Sequence, residues 1–178
     1  MTDSITAIAE RVIRLEKRLA EAEQVDYSNP FAYYVLYSRG TSDQSITADT
    51  PTIIDFNNKI SDIHGLVTTG SSWVYTVPET GLYTVAANVL TSSQTYDAND
   101  YVVFYVEQTG LGHIRSPYTY FSHVTHTTEL NFSWMIEIHL AAAVTISVKL
   151  RYNSNGEDLK VKTDTNKSNV TIFKMRSW

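Results

Sequence analysis

The chain has no cysteine, so nucleophilic chemistry would need a Ser or Thr with a His and an acid, and metal binding would need imidazole and oxygen ligands. "SHVTH" carries His123 and His126. Residues three apart on a strand face opposite sides, so the pair makes a poor chelate; the geometry left to it is one His per chain around a three-fold axis. "YDANDY" offers Asp97, Asn99 and Asp100 as oxygen ligands at spacings compatible with Ca²⁺, and the same residue types serve equally as turn formers. "GSS" at Gly70 is not the Gly-x-Ser-x-Gly elbow of a hydrolase. The reading is therefore no catalytic residue, no cofactor and no metal, with Asp97, Asn99 and Asp100 the candidates if an ion binds.

Twelve tyrosines point instead to contact. A tyrosine provides a large apolar surface at low entropic cost and keeps a hydroxyl for sugars or peptides. "SSQTYDANDY" and "SPYTYFSH" place Tyr96, Tyr118, Tyr120 and Phe121 near expected loops, and these four are the binding candidates. The competing role for such rings is to line a subunit interface.

Strands must position them. From Phe31 onward Val, Ile, Thr, Tyr and Ser dominate, broken by Gly, Asn and Asp. "LYTVAANVL" puts Tyr83, Val85, Ala87 and Val89 on one face. "NFSWMIEIHL" aligns Phe132, Trp134, Ile136, Ile138 and Leu140, and "VTISVKL" aligns Val144, Ile146, Val148 and Leu150. Each reads as a half-buried antiparallel strand. "YVVFYVEQ" is apolar on both faces from Tyr101 to Val106, which predicts a strand covered on both sides, the second cover being another subunit. Further strands are expected at Phe31 to Ser38, near Ile53, at Trp73 to Val77, around Tyr118 to Thr125 and at Asn169 to Met175. Eight to ten strands with long connections predict an all-β jelly-roll sandwich.

The N-terminal segment differs from everything after it. In "SITAIAERVIRLEKRLAEAEQ", Ile5, Ile8, Val12, Leu15, Leu19 and Ala22 alternate spacings of three and four, the a/d seam of a coiled coil. Arg11 precedes Val12 and Glu16 follows Leu15; the frame recurs with Arg18, Leu19, Ala22 and Glu23. This resembles the trimerisation motif of parallel three-stranded coiled coils, in which a g-position Arg reaches the neighbouring chain's e-position Glu. An amphipathic helix packed on its own domain is the alternative. Roughly twenty helical residues would make a stalk about 30 Å long. Asp26 would take the next a position, and "VDYSNPF" ends the pattern. The expected organisation is an attachment peptide at 1–4, a trimeric stalk at 5–25, a linker at 26–30 and the head at 31–178.

Composition bounds the partners. The 178 residues are 43% hydrophobic, enough for one packed domain with an appendage, and the net charge of −5 with no basic stretch argues against nucleic acid. "MTDSITAIAERV" has no basic, apolar or cleavage region of a signal peptide, and no apolar run nears membrane-spanning length, so neither secretion by that route nor membrane insertion is expected.

"WVYTVPETGLYTVAANV" resembles the Val-Pro-x-x-Gly-x-Tyr region of the tumour necrosis factor and complement C1q superfamily. "YVVFYVEQTG" is similar to that family's central strand and turn, "IEIHLAAAVTISVKL" to its strand, Leu-x-x-Gly-Asp turn and strand, and "SNVTIFKM" to its closing strand. The likeness runs from about Phe31 to Met175. "AAAV" at Ala141 to Val144 lacks the Gly-Asp pair, Tyr75 stands for the usual Phe, and there is no collagen-like segment. The resemblance implies a compact homotrimer that binds partners and is not an enzyme.

A trimeric helical stalk, a β head and no export signal together resemble bacteriophage fibres and receptor-binding proteins. That resemblance implies a virion protein assembled in the host cytoplasm and displayed on the virion surface, held by another virion protein through its N-terminus and contacting a host surface glycan or protein. The alternatives are a capsid head fibre or decoration protein, or a bacterial C1q-like ligand-binding module.

Overall fold

The computed structural model describes residues 33–40, 42–70, 73–153, 158–163 and 167–177. The expected attachment peptide, stalk and linker lie outside the described residues. Within them the chain forms only strands: β1 (Val35–Ser38), β2 (Gln44–Ile46), β3 (Thr52–Ile53), β4 (Asn58–Asp62), β5 (Val67–Thr68), β6 (Val74–Thr76), β7 (Gly81–Leu90), β8 (Gln94–Tyr96), β9 (Tyr101–Gln108), β10 (Gly112–Phe121), β11 (His126–Thr128), β12 (Asn131–Leu140), β13 (Thr145–Asn153), β14 (Leu159–Val161) and β15 (Asn169–Ser177).

Two antiparallel sheets make the sandwich. One has the order β12-β7-β15-β1-β4 and the other β10-β9-β13-β6-β5, with β3 also on β13. Two small pairs, β8 with β11 and β2 with β14, close one end. Consecutive long strands switch sheets, from β7 to β9 and from β12 to β13, which is the jelly-roll connection.

Alternation decides which side chains meet between the layers. Along β12 exposed and buried positions alternate without a break, so Phe132, Trp134, Ile136, Ile138 and Leu140 all point inward. From the facing sheet, Phe104 stacks on Phe132 at 6.1 Å and meets Trp134 edge-on at 5.2 Å. Tyr75 and Tyr83 touch across the layers at 6.3 Å, and Trp73 takes the edges of Tyr37 and Phe56. Burying each of these large side chains is worth roughly 1.5–3 kcal/mol. The buried set spans both inner faces as one cluster.

β9 is covered to different extents on its two faces within the single chain. Val102, Phe104 and Val106 are fully buried in the core, and Tyr105 on the other side is buried within the single chain, flanked by Lys149 of β13 in register. Tyr101 and Val103 on that side stay half-exposed. The outer cover is thus partial, and part of it comes from the chain itself, where Lys149 bridges to Glu107 at 2.6 Å.

Gly81 opens β7 for a steric reason. A Cβ there would lie 2.6 Å from the Arg176 carbonyl oxygen and 2.8 Å from Lys174 Cε, because β15 runs directly beside it. Its backbone needs no left-handed φ, so the glycine serves close strand approach rather than turn geometry. Gly81→Ala is expected to cost about 1–3 kcal/mol, read as a lower melting temperature, since the neighbour that must yield is backbone. In the β12–β13 turn, where the Gly-Asp pair is missing, Ala143 carries φ 64° and donates its N–H to the Val77 carbonyl at 2.8 Å.

Candidate binding surface

The chain enters the head at the end of the sandwich where β1 begins. Tyr33 is anchored there: its hydroxyl donates to Glu79 Oε1 at 2.6 Å, Lys174 Nζ donates to Glu79 Oε2 at 2.5 Å, and the Lys174 ammonium sits 5.5 Å from the Tyr33 ring centroid. These donors, Lys174 first and then Tyr33, hold the Glu79 carboxyl below its usual range. A carboxyl depressed on folding stabilises the native state above its unfolded value, and that contribution fades as pH falls through the folded value. Glu79→Gln should therefore flatten the melting profile in the acid limb, around and below the ordinary carboxylate range, and leave it unchanged in shape near neutrality.

The opposite end carries the β7–β8, β8–β9 and β10–β11 connections and is distal to the entering chain. Three of the four binding candidates can be followed in it by backbone, and the fourth, Tyr96, overturns its expectation. Tyr96 is fully buried. The segment expected to be a loop is a three-residue strand, β8, in which Gln94 and Tyr96 face inward and Thr95 outward. The Tyr96 ring meets Tyr120 at 5.6 Å and Tyr152 at 5.9 Å, both edge-on, and lies 6.0 Å from His126. Burial pushes its hydroxyl up to about 12.

Tyr118, Tyr120 and Phe121 belong to β10, the edge strand of the second sheet, paired with Phe104, Val102 and Tyr101 respectively. Proline suits an edge strand, and Pro117 lies where the β10 register shifts between Arg115 and Tyr118. Tyr120 is half-exposed, and its hydroxyl lies 2.7 Å from His126 Nε2. His126 Nδ1 lies 2.9 Å from the Val124 carbonyl, an acceptor only, so Nδ1 carries the proton and Nε2 accepts from Tyr120. His123 sits in the bend before β11 rather than on a strand, and its side chain is exposed. The two histidines therefore do not occupy opposite faces of one strand, as their spacing predicts; only His126 is built into the aromatic group.

The Asp97–Asp100 segment is a turn. Asp100 N–H donates to the Asp97 carbonyl at 3.1 Å, the Asp100 carboxylate accepts from Asp97 N–H at 2.9 Å, and Asn99 takes φ 78°. Asp100 also accepts from the Tyr152 hydroxyl at 3.3 Å and is buried. Its Oδ2 is thus engaged by the turn and by Tyr152, and among the described residues no group of three or more His, Cys, Asp or Glu is placed to hold a metal.

Sequence reasoning missed a second feature of this end, a polar depression of about 350 Å³ between β8–β11 and β14. Ser92 N–H donates to the Lys160 carbonyl at 2.8 Å and Thr91 bridges to Val161, so the β7–β8 connection lies against β14. "SSQT" carries a signal for it, four hydroxyl and amide side chains in a row; Asp158 and Lys160 are distant in sequence and carry none.

No protein-family model matches the chain, and no curated protein is similar to it in sequence. Solved structures are similar in fold. The Eiger TNF of S. frugiperda superposes with a TM-score of 0.55 at 14% identity, over 82% of this chain and 93% of that one. The fold is that of tumour necrosis factor and C1q. The globular domain of the zebrafish complement 1qA protein gives 0.53 at 12% identity over 82% and 98% of the two chains, and murine APRIL at pH 8.0 gives 0.51 at 13% over 80% and 98%. The TNF/C1q-like head thus agrees with the expected resemblance at the level of fold.

Proposed function

We infer that the chain is a non-enzymatic bacteriophage virion protein, a homotrimeric spike or fibre whose head binds a host surface receptor. The observation that carries this reading is the TNF/C1q-like sandwich of the head, preceded in sequence by a tandem trimerisation-type heptad frame. The outer face of the first sheet supports self-association. Met135 is 69% and Met175 44% exposed there, and Ala86 and Phe173 on the same face are half-buried. Glu137 and Thr84 lie between them in register, so the face offers apolar contacts interleaved with polar groups. Next to these residues Ser133, Asn88, Asn169, Ser38 and Asn58 form a polar row in register, in which Asn88 donates to Asn169 and Asn58 to Ser38.

The distal end then faces the host, with Tyr118, Tyr120 and Phe121 as contact candidates. Sedimentation at micromolar concentration should give a trimer, and a monomer or dimer overturns that assembly. Val12→Asp with Leu15→Asp should abolish the stalk, because six charges would meet along one apolar seam. Antibodies raised against the head should label intact virions and block their adsorption. Labelling without a block assigns a decoration role instead, and no labelling overturns the virion reading.

A further inference from the structure

We propose that the distal depression is a binding site for an uncharged saccharide, a proposal that rests on the reading of the head as a host-binding module. The lining is polar: Ser92, Ser93, Gln94, Thr95 and Thr127 on one side, Asp158 and Lys160 on the other. At about 350 Å³ it lies at the lower end of the roughly 300–1,000 Å³ range of small-molecule sites, which suits a mono- or disaccharide.

Its floor is built. Gln94 is nine-tenths buried, and its Nε2 donates to the Tyr152 hydroxyl at 2.9 Å, which in turn donates to the buried Asp100. That chain of bonds fixes the amide with its nitrogen turned to the core, which leaves Oε1 as the end of the amide that faces the depression. An amide oriented in this way presents an acceptor to a ligand hydroxyl. On the rim the Thr95 and Thr127 hydroxyls lie 2.9 Å apart, bonded to each other, so one of them keeps a free O–H. Ser92 and Ser93 add two hydroxyls that make no hydrogen bond among the described residues.

Charge selects the ligand class. Asp158 and Lys160 lie two residues apart across β14, so their side chains point to the same side, both are exposed, and neither forms an ion pair among the described residues. One carboxylate and one ammonium sum to zero, which gives no net attraction for a phosphate or a sialic-acid-type anion. The carboxylate is an acceptor for paired hydroxyls and the ammonium a donor to ring or hydroxyl oxygens. A dense mixture of donors and acceptors with no net charge is the complement of a polyol. No exposed ring lines the depression, so single-site binding is weak, and three copies on one spike supply the avidity.

The test is saturation-transfer NMR of the full chain with glucose, galactose, mannose, rhamnose, N-acetylglucosamine and N-acetylgalactosamine, and with inorganic phosphate as the anionic probe. The same protein is then laid on an array of bacterial-envelope oligosaccharides. At least one sugar should give transfer, and Asp158→Ala and Lys160→Ala should each reduce array binding at least tenfold with melting unchanged, while Lys59→Gln, at an exposed position of β4, should not. No transfer from any sugar and no array binding, equal binding by the variants, or binding of phosphate in preference to sugars overturns the saccharide site. Adsorption to host cells separates the two readings. Wild type and both variants adsorbing equally overturns the site and leaves the host-binding head standing; array binding lost in the variants, with no adsorption of the wild type to any cell, supports the site and overturns the receptor role.

Discussion

Replacing Tyr96 by alanine is expected to lower stability by about 3–5 kcal/mol, the range for removing a large aromatic from a packed core. The ring fills the space between Tyr120, Tyr152 and His126 and is fully buried. At roughly 2–4 °C per kcal/mol for a domain of this size, the melting temperature should fall by about 6–20 °C, measured at fixed protein concentration so that assembly does not shift it. Tyr96→Phe should cost under about 1 kcal/mol, because the hydroxyl's contact with Thr91 Oγ1, at 3.4 Å, is long. The two variants also differ from wild type at high pH. A phenol pushed up to about 12 by burial favours the folded state below its unfolded value near 10, and that contribution is lost as pH rises through about 12. Tyr96→Phe removes this titration, so its melting profile should fall less steeply above pH 10. A loss of host adsorption in Tyr96→Ala without a change in melting would show that the ring contacts a partner after all.

The placement of Tyr96 shows where a sequence stops being readable. "NFSWMIEIHL" is ten residues long and alternates at every position, so its inward set follows from the residue order alone. β8, with three residues, is too short for alternation to stand out against the polar Ser, Gln, Thr and Asp around it, and its composition is that of a loop. β2, β5, β11 and β14, of two or three residues each, are hidden for the same reason. The residues of β9 do show that both its faces are apolar, but no pattern in the segment says that Lys149 of a distant strand flanks Tyr105. The polar depression has the same origin: Gln94 and Lys160 meet only because the β7–β8 connection hydrogen-bonds to β14. Periodicity reports which face of a strand is buried, and it carries no information on which short strands close an end.

Asp62 is expected to be the least replaceable acid of the head. It ends β4 and is buried, with Oδ2 accepting from the Tyr37 hydroxyl at 2.9 Å and Val67 N–H at 3.1 Å, and Oδ1 accepting from Leu66 N–H at 3.0 Å. The carboxylate therefore ties β1 and β4 of the first sheet to the start of β5 in the second, at the edge where no backbone ladder joins the two sheets. Tyr37 beneath it is raised above the ordinary phenol range, first by burial and then by the bond to Asp62. Asp62→Ala leaves three donors without an acceptor, at roughly 1–3 kcal/mol for each that water does not reach, so a loss of about 3–5 kcal/mol is expected. Tyr37→Phe removes one donor and leaves the two backbone bonds in place, so about 1 kcal/mol should be lost. Because both substitutions break the same bond, the double variant should be less destabilised than the sum of the singles, by about 0.5–3 kcal/mol in a double-mutant cycle. Strict additivity would mean that the Tyr37 hydroxyl and the carboxylate do not act together, and that Asp62 ties the two sheets through its bonds to Leu66 and Val67 N–H without help from Tyr37.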